Sequence, residues 1–107
     1  MYTRTMNKFD EIRIWAAARG IFDKGDVKTQ TVKLMEEVGE LSKAVIDNDA
    51  TTFRAELTDA IGDCVVVLTN LSHLAGLKIE DCIDAAYEEI KDRQGAMVEG
   101  TFKKDEI

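Results

Sequence analysis

Two acidic rows at helical spacing constrain this chain more than any other feature. Glu36-Glu37-Val38-Gly39-Glu40 is answered downstream by Glu56-Leu57-Thr58-Asp59-Ala60-Ile61-Gly62-Asp63. Both lie in segments whose apolar residues recur three and four apart, so each becomes a row of carboxylates along a helix, bordering its buried face. Six acids then meet across one helix pair. Like charges about 5 Å apart repel by roughly 3 kcal/mol per pair at an effective dielectric near 20, so such a cluster calls for cations or protons.

The rest of the chain favours helices as the setting. Its 107 residues contain no proline, and 45% hydrophobic with 33% charged residues is the balance of a folded domain rather than a disordered one. The expectation is one all-α domain, a four-helix bundle-like fold over residues 1–107, small enough that an oligomer would help it bury a core. A net charge of −7 argues against holding a nucleic-acid polymer, because that binding needs a basic face. Cys64 and Cys82 form no CxxC pair and His73 is the one histidine, so neither a zinc site nor a disulfide framework is expected. No apolar run approaches the ~18 residues that span a bilayer, and the start Met1-Tyr2-Thr3-Arg4 has no apolar leader stretch. A cytoplasmic protein with reduced thiols and no membrane partner is expected.

Taken in order, Phe9, Ile12, Trp15 and Ala16 share one side of a first helix, which Gly20 stops. Trp15 is expected in the core or a subunit interface in preference to stacking on a base. Phe22 to Asp26 is expected as a loop, with Asp26 capping the next helix. Along that helix Leu34, Val38, Leu41 and Val45 form the apolar stripe, with Glu37, Glu40, Gln30 and Lys33 on its flank and Glu36 further toward solvent. Gly39 in mid-helix is expected to admit another backbone or a ligand. A third helix, from about Thr52 to Ala75, opposes an apolar face (Leu57, Ile61, Cys64, Leu68, Leu71) to a polar one (Glu56, Asp59, Asp63, Asn70). Asp63 lies in a mostly apolar half, where an unpaired carboxylate is costly. Gly76 ends that helix, and Ile79, Ile83, Ala86 and Ile90 mark a fourth, whose Glu80, Asp81, Asp84, Glu88 and Glu89 form a solvated face.

Carboxylates one turn apart on each of two helices are a recurring way for a bundle to hold two divalent cations. All-oxygen ligation suits Mg²⁺ or Mn²⁺, and neither row contains the histidine a di-iron centre would use. Lys33, Lys91 and Arg93 are either phosphate contacts around such metals or ordinary surface bases. Asn70, two turns beyond Asp63, is either a ligand of metal or substrate or a polar residue facing a wet gap.

These residues resemble a known family. Glu36-Glu37-x-x-Glu40 followed by Glu56-x-x-Asp59 resembles the EExxE and ExxD signature of the all-α nucleotide pyrophosphohydrolases, and of the MazG-type branch in particular. The likeness extends to Trp15 through Ile21, Gln30 through Leu41, Asp59 through Leu68, Glu89 through Gly95 and Met97 through Phe102, which are similar to small, single-domain, phage-type members. The resemblance implies Glu37 and Glu40 as metal ligands with Asp59 or Asp63 as the principal aspartate, and Glu36 as the group that orients or deprotonates water. It further implies a Mg²⁺-dependent hydrolase that cleaves a nucleoside triphosphate between the α and β phosphorus atoms, working as a homodimer or homotetramer. A phosphoribosyl-ATP or dUTP/dCTP-specific hydrolase of the same fold is the alternative within the class. Outside it stands a catalytically silent acidic bundle that binds a partner or senses metal.

Overall fold

The computed structural model describes residues 6–106. The start Met1 to Arg4, read above for its lack of an apolar leader, lies outside the described residues. Five helices are followed by a hairpin: α1 (Lys8–Ala18), α2 (Ile21–Lys24), α3 (Val27–Asp47), α4 (Phe53–Leu74), α5 (Ile79–Ile90), β1 (Gly95–Val98) and β2 (Thr101–Lys104). The fold is all-α in class. No single helix among the described residues is long and apolar enough to cross a membrane.

Local chemistry sets the helix ends. Asn7 caps α1 through its side chain and Asp10 returns the bond, while Asp26 and Thr29 form the same reciprocal box before α3. At the far end of α4, Gly76 takes φ 78° and the amides of Gly76 and Leu77 donate to the carbonyls of His73 and Ser72. That left-handed residue satisfies carbonyls the helix leaves free, and a side chain there would be strained.

The segment expected as a loop before α3 differs. Ile21–Lys24 forms one helical turn, because Gly20, at φ 77°, reverses the chain and lets Phe22 reach the end of α4. The Phe22 and His73 rings stack there with centroids 4.0 Å apart.

α3 and α4 form the largest interface, and the short connection 48–52 makes them antiparallel. The seam on α3 is Gln30, Leu34, Glu37, Leu41 and Ala44, and the remaining positions of that helix are exposed. It is rotated by one position from the expected stripe, since Val38 and Val45 face outward while Glu37 and Ala44 face α4. On α4 the covered positions include Ala60, Cys64, Val67, Asn70 and Leu71, whereas Ile61 and Leu68, expected to be buried, are exposed. A Cβ at Gly39 would meet nothing within 4 Å, so within this chain that glycine admits no close neighbour.

The tail pairs β1 with β2 in antiparallel register, Gly95 opposite Lys104 and Val98 opposite Thr101. Glu99 and Gly100 both take positive φ, 49° and 81°, which is the two-residue turn whose twist matches a hairpin. No strand was expected there. The Phe102 ring lies over Gly95, where a β-carbon would come within 2.5 Å of it.

A second correction concerns Glu80, assigned above to a solvated face. Arg13 on α1 donates from both terminal nitrogens to Glu80, at 2.8 and 2.7 Å, and from one of them to Asp10 at 2.8 Å. The two-pronged pair ties α5 to α1 where α5 leaves α4. The hydrogen bonds from Arg13 hold the Glu80 carboxyl down to about 2 from an ordinary 4.5. Hydrogen bonds to Glu80 and Asp10 in turn raise the Arg13 guanidinium. A depressed carboxylate stabilises the fold above its unfolded value and loses that contribution as pH falls toward its folded one. Glu80→Gln should therefore lower Tm at pH 7, and the gap from the parent should close as pH drops from 4.5 toward 2. Thermal melts across that range check it, and a gap that widens toward acid contradicts it.

Candidate functional site

Midway along the α3/α4 seam the chain places a carboxylate where an apolar side chain would normally sit. Glu37 is 6% exposed, and its Oε2 is buried with no hydrogen-bond partner among the described residues. An ionised group so placed is costly unless paired. One oxygen, atom for atom, from each of Glu37, Glu40 and Asp63 can be chosen so that all three lie within 4.8 Å of one another. Three convergent carboxylates, one buried and two exposed, offer the hard oxygen ligands that divalent cations such as Mg²⁺ prefer. Together they could hold a metal.

Lys33, one turn before Glu37, is the cation at this cluster. Its Nζ is 3.3 Å from Glu37 Oε1 and 3.4 Å from Glu36 Oε2. Those bonds, to Glu37 first and Glu36 second, raise the lysine's affinity for its proton. Beneath the cluster, burial pushes the Cys64 thiol up, and the charges of Glu37, Asp63 and Glu40 push it further.

Among the described residues, three clefts border Asp63, and two of them carry the other site candidates. The first, about 250 Å³, is lined by Glu40, Lys43, Ala44, Asp47, Glu56, Asp59, Ala60 and Asp63. The second, about 440 Å³, is more apolar: Trp15, Ile21, Val66 and Val67 wall it, with Thr29, Gln30, Lys33, Glu37, Asp63 and Asn70.

Set against the sequence, the structure brings Glu37, Glu40 and Asp63 into one cluster, and Gln30, Lys33 and Asn70 into the cleft beside it. Asp59 lines the first cleft but is not in the close group, so the geometry favours Asp63 as the aspartate facing both glutamates. Glu36 is exposed and meets the cluster only through Lys33. Lys91 and Arg93 line neither cleft. They pair with Glu88 at 2.7 Å and Glu89 at 3.5 Å on their own helix end.

Trp15, expected in the core or a subunit interface, is not in the core of the single chain: it is 44% exposed and walls the second cleft, with the Arg19 guanidinium 4.5 Å from its ring centroid. Ile21, Val66 and Val67 fall within the stretches that carry the family likeness but were not expected as cleft walls. Their signal was their helical neighbourhood to Asp63 and to the turn after α1.

The family model for the MazG nucleotide pyrophosphohydrolase domain matches residues 26–98. The chain therefore belongs to the MazG nucleotide pyrophosphohydrolase domain family. It is also similar to an uncharacterized 18.2 kDa protein from the rep-hol intergenic region of Haemophilus phage HP1, 36% identical over 79 residues. The match covers 74% of this chain but 42% of that relative, so the chain spans about two fifths of its length. No solved structure matches the chain. The matched span contains both acidic rows and the whole α3/α4 seam, so the family assignment and the carboxylate cluster concern the same part of the molecule.

The cluster yields a prediction with two opposite signs. Mg²⁺ or Mn²⁺ should raise Tm, because a cation held only by the folded state stabilises it, by about 2.7 kcal/mol at a hundred times its Kd. Asp63→Asn should remove most of that gain. Glu37→Gln should remove it too, while leaving the metal-free protein as stable or more stable, since relief of the unpartnered buried Oε2 and of repulsion from Glu40 and Asp63 offsets the loss of a half-exposed Lys33 pair. Melts with EDTA and with millimolar Mg²⁺ decide it. A metal-free Glu37→Gln protein that melts far below the parent counts against the argument.

Proposed function

We propose that the protein is a Mg²⁺-dependent nucleoside triphosphate pyrophosphohydrolase, for which Mn²⁺ can substitute, converting NTP or dNTP to the monophosphate and pyrophosphate. The observation that carries this reading is the buried, partnerless Glu37 oxygen beside Glu40 and Asp63 in the α3/α4 seam of a MazG-family chain. Glu37, Glu40 and Asp63 are the proposed cation ligands, with Asp59 on the adjoining wall. When bound, such a cation supplies neutralising charge to the triphosphate and Lewis acidity at the phosphorus under attack.

The chain's own residues supply the rest. Lys33 is shared between Glu36 and Glu37, so a triphosphate that draws its ammonium away frees both carboxylates at once. Glu37 is then available to the cation, and Glu36 to orient a water and take its proton. Gln30 and Asn70 hold the nucleotide in the second cleft, whose apolar walls limit water there. Lys91 and Arg93 act as phosphate contacts only if the assembly carries them to the site.

An assembly is itself part of the proposal. Ile61 and Leu68 on α4, Val38 and Val45 on α3, and Ile83, Tyr87 and Ile90 on α5 are all exposed in the single chain. Leaving so many large apolar side chains in water is unfavourable at about 25 cal/mol per Å², and a homodimer or homotetramer would cover them. Light scattering at micromolar concentration should show a species at least twice 11.9 kDa. A sole 11.9 kDa species rejects the assembly. The reading also favours the cytoplasm, where nucleotides are abundant and the free Cys64 and Cys82 stay reduced.

Chromatography of products from a panel of ribo- and deoxynucleoside triphosphates tests the reaction. Monophosphate with pyrophosphate is expected; diphosphate with orthophosphate rejects α–β cleavage. Glu37→Gln, Glu40→Gln and Asp63→Asn should each lower kcat/KM by orders of magnitude with the fold intact. Asp84→Asn, on the exposed side of α5, should leave it unchanged. Full activity in the Glu40 and Asp63 variants removes them from the site.

A further inference from the structure

Asn70 is 2% exposed, lines the second cleft, and has a buried Oδ1 with no hydrogen-bond partner among the described residues. An unsatisfied buried acceptor is destabilising, and a leucine at this place in α4 would avoid it. Val66 and Val67, one turn before it on α4, offer no side-chain donor. A second carboxamide, Gln30, lines the same cleft. Gln30 precedes Glu37 by two helical turns and Asn70 follows Asp63 by two, so in the antiparallel pair both amides stand at one level, about 10 Å along the axis from the acids. That is the reach of a nucleotide from its α-phosphate to its base. The partly exposed indole of Trp15 completes the wall, braced by Arg19.

We propose that this cleft is a nucleobase pocket in which Asn70 Oδ1 accepts a hydrogen bond from an N–H donor on the base edge while the Trp15 ring packs against the base. The proposal rests on the nucleotide reading above and deepens it by naming what selects the base. An apolar slot with a carboxamide at its end admits a planar ring and discriminates on the ring's edge, because a base without the donor leaves the amide oxygen unpaired. Trp15 ranks bases by stacking alone, which every base can do. Asn70 is therefore the specificity-determining residue of the pair.

Trp15 is the chain's one tryptophan, so its fluorescence reports on the pocket without any catalysis. Nucleosides free of phosphate, titrated without metal, should quench it saturably. Adenosine and cytidine should bind about tenfold or more tighter than purine riboside and pyrimidin-2-one riboside, which lack the exocyclic amino donor; tenfold corresponds to about 1.4 kcal/mol, within the cost of one unmade bond. Asn70→Leu should erase that preference. Asn70→Asp keeps an acceptor at the same place and should retain it, and the comparison within the parent protein stands even if a variant fails to fold. The proposal is overturned if no nucleoside quenches saturably, if the amino-bearing and amino-less partners bind equally, or if folded Asn70→Leu keeps the preference. Base-selective binding without triphosphate cleavage would retain the pocket and reject the reaction. Cleavage of triphosphates with no base selectivity would do the reverse.

Discussion

The structure depends on a carboxylate occupying a core position of a helix pair. Glu37 stands in the α3 seam between Leu34 and Leu41, and α4 supplies Asp63 rather than a compensating base. Packing alone would select an apolar residue there, since a buried acid is costly and an acidic neighbour makes it worse. The helices around it solve the problem locally. Ala44 and Ala60, buried beyond the cluster, are small enough for α3 and α4 to approach closely, so the acids remain fixed on two rigid elements. A site on helices holds its geometry better than one on loops.

Away from that seam the chain is sparsely buried. α5 packs on α4 chiefly through Ile79, and what holds its direction is the two-pronged Arg13 to Glu80 pair across to α1. The hairpin is exposed throughout and is shaped by its turn and by Phe102 over Gly95. The ion pair ties α1 to α5 and the ring stack of Phe22 on His73 ties α2 to the end of α4, and α1, α2 and α5 all contact α4. Order at that end positions Trp15 and Ile21, so the second cleft inherits its walls from contacts remote from the acids.

Much of the fold was legible because helix ends are written locally. Asn7, Asp26 and Gly76 mark boundaries through side-chain or backbone chemistry that needs no tertiary information. Asp63 was legible as an acid in an apolar context, and Asn70 by its spacing from it. The α3 seam was misplaced by one position because Val38 and Val45 look more burial-prone than Glu37 and Ala44; hydrophobic patterning puts a carboxylate on the flank, and this seam breaks that rule. Glu80 could not be read, since its partner lies 67 residues away and nothing local announces which helices meet. The hairpin turn, Glu99-Gly100, carries only half of the usual signal, a glycine without the preceding asparagine or aspartate. Trp15 lies outside the core of the single chain because aromatic burial is a tendency of whole folds, and here Arg19, four residues on, packs over the ring.

The two clefts on either side of Asp63 differ in charge, and that difference gives the site a direction. The first carries Glu40, Asp47, Glu56, Asp59 and Asp63 against Lys43 alone, a field that attracts cations and repels a polyphosphate. The second carries Lys33 against Glu37 and Asp63, with two carboxamides and apolar walls, a less acidic setting that suits a neutral ring. On the proposed reading, a triphosphate laid across Asp63 would meet its lowest cost with the base in the second cleft and its phosphates over the acids, and would hold that pose only where cations offset the carboxylates. On that reading, metal affinity and substrate orientation would be set by the same residues. Glu37, which faces both the lysine and the other acids, would couple them: neutralising it would weaken the hold on a cation and release Lys33 together.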